Sequence, residues 1–376
     1  MLAGKSLKTV GKSDLSGSHR MRNLTLLVIL LVPSLGHSAE KRPNILWIVG
    51  ENFSNDLGCY GQPNVATPHL DKLAAEGIRY THAFATSPVC APSRSCFMLG
   101  MYQTTTDTHH MRSHRSDDFK LPPGIRPLTH RLKDAGYFTA NITHLGTEEM
   151  GTGKLDLNFV NEGELYDSHQ WDELKSHQPF FAQINLPEAE YDIYDRKSAD
   201  KPRVHWVGEE WHPQVATEEN VTPPPYYPDH PISRQEWARY LNSVSGADIR
   251  VGKILARLKA DGMDEDTVIF FFADNGRLTA RGIHWPFDQG LRVPLIVRDS
   301  KTRPCFGERE QAGTISHQVV SLMDLTATSL AVAGIDRPLG MQSRAFLGND
   351  SVPARRFAFA ARDRIDETVI RMRSVH

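Results

Sequence analysis

Two stretches of the chain are apolar almost throughout. Asn44-Ile45-Leu46-Trp47-Ile48-Val49 and Thr267-Val268-Ile269-Phe270-Phe271-Phe272-Ala273 show no alternation of polar with apolar residues. A strand wetted on one face alternates, whereas a strand covered on both faces does not. Both stretches therefore predict central strands of a largely parallel sheet with helices on its two sides. Phe180 to Asn185 predicts another strand, as do Tyr137 to Ile142 and the apolar end of Asp288 to Val297. Helical spacing appears between them. Thr67 to Gly77 has Thr67 as cap, Pro68 at the first helical position, Leu70, Leu73 and Ala74 on one face, and Gly77 past the end. Ser93 to Leu99 predicts a short helix opened by Pro92 and ended by Gly100. Pro127 to Ala135 and His317 to Ala333 predict further helices, and Ser233 to Lys259 a long amphipathic one whose apolar stripe belongs to the core. Residues 195–232, polar and rich in proline, read as a long surface loop of the substrate-shaping kind.

Each of the two buried strands runs straight into side-chain oxygens. Glu51-Asn52 follows the first and Asp274-Asn275 the second. Open α/β sheets bind their ligands beyond the carboxyl ends of the strands, and such oxygens suit a hard divalent cation, Ca²⁺ ahead of Mg²⁺. Each dipeptide alone is also an ordinary turn; two of them at two strand ends fit one metal site. Between them in sequence lies Cys90-Ala91-Pro92-Ser93-Arg94. The cysteine stands at the start of the predicted helix, where free N–H groups and the helix dipole favour an anion. Arg94, one turn on, adds a planar fork of donors matched to sulfate or phosphate oxygens. A lone cysteine is otherwise a small buried hydrophobe. Downstream, His109-His110-Met111-Arg112-Ser113-His114-Arg115 reads equally as the lining of a pocket for a charged sugar, with His110 and Arg112 in contact with it, or as a solvated polar loop.

The Cys90–Arg94 run resembles the Cys-x-Pro-Ser-Arg core of the type I sulfatases. Further segments resemble that family in the same order: Gly58-Cys59-Tyr60-Gly61, Thr67 to Gly77, the Gly-Tyr-x-Thr of Gly136 to Thr139, Gly153-Lys154-Leu155-Asp156-Leu157-Asn158-Phe159, Asp274-Asn275-Gly276, and Gly290-Leu291-Arg292-Val293-Pro294. The similarity spans about residues 43–373 and is nearest to members like heparan N-sulfatase. It implies an alkaline-phosphatase-like α/β fold with a central mixed, mostly parallel sheet between helices. It also implies a sulfatase acting on sulfate esters or N-sulfate of a sulfated carbohydrate. Cys90 would be oxidised to formylglycine by a maturation enzyme and act as nucleophile, Arg94 would hold the anion, and Glu51, Asn52, Asp274 and Asn275 would hold the cation. Lys154 takes the place of the active-site lysine, with His144 as a second group for the hydrated aldehyde. The sequence departs from the pattern at four places: Leu99 for a threonine, Asn52 for an acid, Glu190 for the histidine that protonates the leaving group, and Ile283 for a lysine, which leaves His284 or Arg281 to carry that cationic role. Two other functions stay open on these residues, a phosphoester or phosphonate monoester hydrolase and a non-catalytic binder of sulfated glycans.

Composition bounds the rest. At 376 residues and 40% apolar the chain can bury one large core. A formal charge of −2 gives no basic footprint for a nucleic-acid partner, and four cysteines are too few for a disulfide framework. Leu24 to Leu35 is too short to span a membrane. Arg20 and Arg22 precede it and Gly36-His37-Ser38-Ala39 follows, so residues 1–39 predict an upstream extension and a signal peptide cleaved near Ser38 or Ala39, with an exported, secreted or periplasmic product. The expected division is a catalytic domain over 40–345, then the opening of a truncated C-terminal subdomain over 346–376.

Overall fold

The computed structural model describes residues 42–113, 117–189, 215–307, 311–348, 353–365 and 368–376. The predicted signal peptide, Glu190 and most of the proline-rich loop lie outside them. Among the described residues no helix is long and apolar enough to cross a membrane.

The core is a nine-stranded mixed sheet. Strand β1 (Asn44–Gly50) lies at its centre, flanked in parallel by β6 (Phe180–Leu186) and β7 (Thr267–Ala273). Beyond β6 come β3 (Phe138–Leu145), again parallel, with the short β4 (Glu148–Glu149) and β5 (Ser168–Gln170) on its outer side. Beyond β7, β8 (Arg292–Arg298) runs antiparallel, followed by β2 (Ile78–Phe84) and β9 (Thr314–Ser321). Every residue of β1, β6 and β7 is buried, which is why their sequences show no alternation. The aromatic rings interlock edge to face: Trp47 packs on Phe181 and Phe272 at centroid distances of 5.0 and 5.3 Å, and Phe97 packs on Phe272 at 5.5 Å.

Helices α2 (Cys90–Leu99), α3 (Leu128–Asp134) and α6 (Asp324–Val332) pack on one another, and Trp47 donates from its indole to Ser329 of α6 at 3.1 Å. Helices α1 (Pro68–Glu76) and α4 (Pro231–Ala260) form the other group, and a one-turn α5 (Asp288–Leu291) leads into β8. The mixed, mostly parallel sheet with flanking helices is the α/β architecture that the pattern predicted.

Three expectations need correction. The helix expected over His317 to Ala333 is a strand followed by a helix. Thr314 to Ser321 pairs with β2 as β9; Val320 is its buried apolar residue, and Val319 and Val320 run on into the apolar pattern of α6. Helix α2 begins at Cys90, three residues before Ser93, because Pro92 sits within the first turn where its missing N–H costs nothing. Thr67 is the residue before α1, but its hydroxyl does not cap the helix. It donates to Asp71, and the His69 and Leu70 N–H groups are instead accepted by Asp248 of α4 at 3.1 and 2.7 Å. Residues 353–376 contribute a two-stranded antiparallel hairpin, β10 (Phe359–Ile365) and β11 (Thr368–Val375).

Candidate active site

The site forms where three central strands end. Glu51 and Asn52 leave β1, Asn185 sits near the end of β6, and Asp274 and Asn275 leave β7. Parallel register puts Gly50 level with both Leu186 and Ala273, so these residues meet at one edge. The chain turns sharply at both ends. Asn52 adopts φ 60°, a left-handed conformation that Asn tolerates better than most residues. After Asn275 the backbone passes so close to the short helix α5 that a Cβ on Gly276 would lie 2.0 Å from the Gln289 carbonyl oxygen, so only glycine fits.

Helix α2 points its N-terminus at this edge and carries Cys90 as its first residue, 4% exposed. Gly100, at φ 67°, ends the helix in the left-handed conformation. The Cys90 thiol lies 3.9 Å from Asn52 Oδ1. Arg94, one turn on and 1% exposed, is held on three sides. Nε donates to Asp274 Oδ2 at 2.9 Å, Nη1 to Asn185 Oδ1 at 2.7 Å, and Nη2 lies 3.8 Å from Glu51 Oε1. Ser93 Oγ donates to the Asp274 carbonyl at 2.5 Å. Burial works against the Arg94 charge, but the Asp274 and Glu51 carboxylates outweigh it and hold the guanidinium protonated.

Lys154 arrives from the loop between β4 and β5. Its Nζ lies 2.8 Å from Glu51 Oε2, with Thr152 Oγ1 donating to Glu51 Oε1 at 3.3 Å. Asn185 fixes that loop, accepting Thr152 N–H at its carbonyl and donating from Nδ2 to the Lys154 carbonyl at 3.1 Å. Burial opposes the Lys154 charge too, and the Cys90 sulfur and Glu51 carboxylate overcome it. Around Cys90 there are thus two carboxylates, Glu51 and Asp274, against two permanent cations, Arg94 and Lys154.

The four predicted cation ligands stand together. Asn52 N–H donates to Asp274 Oδ1 at 3.1 Å, and Asn275 Nδ2 donates to Asn52 Oδ1 at 2.8 Å. Asn275 Oδ1 is buried with no hydrogen-bond partner, an acceptor that a cation would satisfy. The donor set is oxygen only and suits Ca²⁺ or Mg²⁺ rather than a softer ion. Among the described residues no group of three or more His, Cys, Asp or Glu is placed to hold a metal, because amides stand here where carboxylates could.

The other predicted residues lie around this centre or away from it. His284, at φ 73°, donates its N–H to the Pro88 carbonyl at 2.8 Å, and Ile283 packs against a small cluster of Val89, Ala91, Met111 and Ile365. The 281–284 turn therefore lies alongside the cysteine. His110 joins the same rim, its Nδ1 accepting the Arg364 N–H of β10, and burial together with His109 and Arg364 lowers its affinity for a proton. Arg112 is exposed, at φ 54°. His144 stands late in β3 with its imidazole bonded to Thr143, while Asn141 of the same strand joins Asn185 and the Gly153 carbonyl. Sequence reasoning missed Asn185 and Asn141, neutral residues inside strands; a polar side chain in an otherwise buried strand was the available signal. It also missed Asn158, which ties α2 to the His110 loop: its N–H donates to Ser95 Oγ of α2 at 2.9 Å and its Nδ2 to the Thr108 and His110 carbonyls.

A family model described as Sulfatase matches residues 43–335, from the start of β1 to just past α6. The chain belongs to the sulfatase family. It is 30% identical to an ulvan-active sulfatase of Formosa agariphila, over 89% of this chain and 59% of that one. It is 26% identical to human N-sulphoglucosamine sulphohydrolase, over 87% of this chain and 68% of that one. The sulfatase fold extends to solved structures of lower identity. A protein complexed with its substrate D-glucosamine-2-N,6-O-disulfate superposes with a TM-score of 0.62 at 17% identity, covering 89% of this chain and 87% of that one. A phosphonate monoester hydrolase of Agrobacterium radiobacter superposes with a TM-score of 0.63 at 17% identity, covering 87% and 81%.

Proposed function

We propose that this sulfatase-family chain hydrolyses sulfate esters or N-sulfate of a sulfated carbohydrate, with position 90 as nucleophile. One observation carries the reading above the others: Cys90 opens a helix, with Arg94 one turn on in the same helix, and Lys154 and an oxygen cluster come to it from a loop and two strand ends. Converted to formylglycine by a maturation enzyme, position 90 would supply a hydrated aldehyde whose one hydroxyl attacks sulfur and whose other allows sulfate to depart as the aldehyde re-forms. Glu51, Asp274 and Asn275 would hold a divalent cation, Ca²⁺ or Mg²⁺, which supplies charge for the developing oxyanion and a lower pKa for the nucleophilic hydroxyl.

The chain's own residues do the remaining work. The α2 N-terminus presents free N–H groups to the anion. Lys154 and Arg94 neutralise the non-bridging oxygens, and their anchoring on Glu51, Asp274 and Asn185 removes the cost of arranging them during reaction. His284, whose backbone N–H meets the Pro88 carbonyl, and His110 on the rim would meet the leaving sugar. An exported location, secreted or periplasmic, fits the predicted signal peptide and a sulfated polysaccharide substrate.

The test is turnover of 4-nitrophenyl sulfate against 4-nitrophenyl phosphate and phenylphosphonate, by protein co-expressed with a formylglycine-generating enzyme. Preference for the sulfate is expected. Preference for a phosphoryl ester would move the chain to phosphoester or phosphonate hydrolysis, and binding of sulfated oligosaccharide without release would make it a glycan-binding protein.

A further inference from the structure

Asn52 replaces an acid at a cation position, and its amide is oriented by its neighbours. Asn275 Nδ2 donates to the Gly276 carbonyl at 2.9 Å, so the nitrogen end of Asn275 faces that carbonyl. Its second hydrogen is directed at Asn52, 2.8 Å from Asn275 Nδ2, where only an oxygen can accept it. Asn52 Oδ1 therefore has one lone pair on Asn275 and the other turned to the Cys90 thiol at 3.9 Å. In the thiol form that oxygen thus faces two protein donors. The Asn52 Nδ2 end is the reverse: Asn52 is 1% exposed, and Nδ2 is a buried donor with no acceptor. Arg94 Nη2 is a second buried donor without a hydrogen bond, and Asn275 Oδ1 a buried acceptor without one. Unsatisfied donors call for an anion and an unsatisfied acceptor for a cation.

We infer that Asn52 serves the oxyanion rather than the cation. Three side chains, Glu51, Asp274 and Asn275, form the cation half. Asn52 Nδ2 and Arg94 Nη2 form the anion half and hold one oxygen of the sulfuryl group, while Asn52 Oδ1 orients the nucleophile at position 90. The inference rests on the proposed function and divides the labour within its site. It also accounts for the lost carboxylate: a negative side chain facing the anion would repel what Arg94 and Lys154 attract.

The experiment is calorimetric titration of the full chain with Ca²⁺, then with inorganic sulfate at saturating Ca²⁺. Asn52→Gly removes the side chain and suits φ 60°; Asn52→Asp keeps the shape and turns the donor into a charged acceptor. The expected result is a fall in sulfate affinity of about tenfold in Asn52→Gly and more in Asn52→Asp, with Ca²⁺ affinity of Asn52→Gly within about threefold of wild type. A loss of Ca²⁺ affinity of about tenfold in Asn52→Gly, or undiminished sulfate affinity, would overturn it. Should Asn52→Gly not fold, Asn52→Asp decides by sign, because an acid acting as cation ligand would raise Ca²⁺ and sulfate affinity together. Wild-type protein that binds neither ion would instead overturn the site on which the inference stands.

Discussion

Arg94 ties the site's helix to its strand ends. Its fork links α2 to β1, β6 and β7 through Glu51, Asn185 and Asp274. Replacing it with alanine leaves two buried carboxylates facing Lys154 alone. Arg94→Ala is expected to lose about 3–5 kcal/mol of stability, read by chemical denaturation. Arg94→Lys keeps the charge but not the fork, and is expected to fold while losing about 100-fold in turnover of an aryl sulfate. The charged and nucleophilic residues of this centre were legible in the sequence because they sit at strand ends and a helix start, in an order that only one family arrangement explains. Asn185 and Asn141 were not, because an amide within an apolar strand gives no sign of which partner it will meet.

At the level of elements, the buried strands and the long α4 could be read directly, since their apolar patterns are produced by the burial itself. Boundaries between adjacent elements whose apolar residues run on from one to the next could not, as β9 and α6 show. The start of α1 depends on a distant residue that no local pattern reveals. Asp248 on α4 accepts the His69 and Leu70 N–H groups, and burial pushes its carboxyl up from 3.8 to about 7, against the opposing pull of those two bonds. The folded chain therefore holds this proton more tightly than the unfolded chain. That contribution is fully present below about pH 3.8 and is lost as the pH rises toward 7. Asp248→Asn keeps an acceptor without the titration. Its melting temperature, relative to wild type, is expected to rise between pH 4 and pH 7; a difference that does not change with pH would show that Asp248 is ionised throughout.

On the scale of the whole molecule, the hairpin at the C-terminal end of the described chain locks the rim of the site to the sheet. Arg355 pairs with Asp324 at the start of α6 at 2.6 Å, the Ala361 N–H reaches the Thr86 carbonyl, and Arg362 donates to the His284 carbonyl at 2.6 Å. The loops that carry site residues thus hang from both ends of the fold. A cation bound between Glu51, Asp274 and Asn275 ties the ends of β1 and β7 together and binds only the folded state. Ca²⁺ at about 100 times its dissociation constant is expected to add about 2.7 kcal/mol, visible as a melting temperature several degrees above that in chelator. Equal melting in Ca²⁺, Mg²⁺ and chelator would show that the oxygen cluster holds no cation.

Cys90 is the centre of the proposed site, and the mass of the tryptic peptide that contains it tests that role most directly. In protein co-expressed with a formylglycine-generating enzyme, the peptide is predicted to show the loss that accompanies conversion of CH₂SH to CHO, and Cys96 in the same helix is predicted to stay a thiol. An unmodified Cys90 under those conditions would contradict the account.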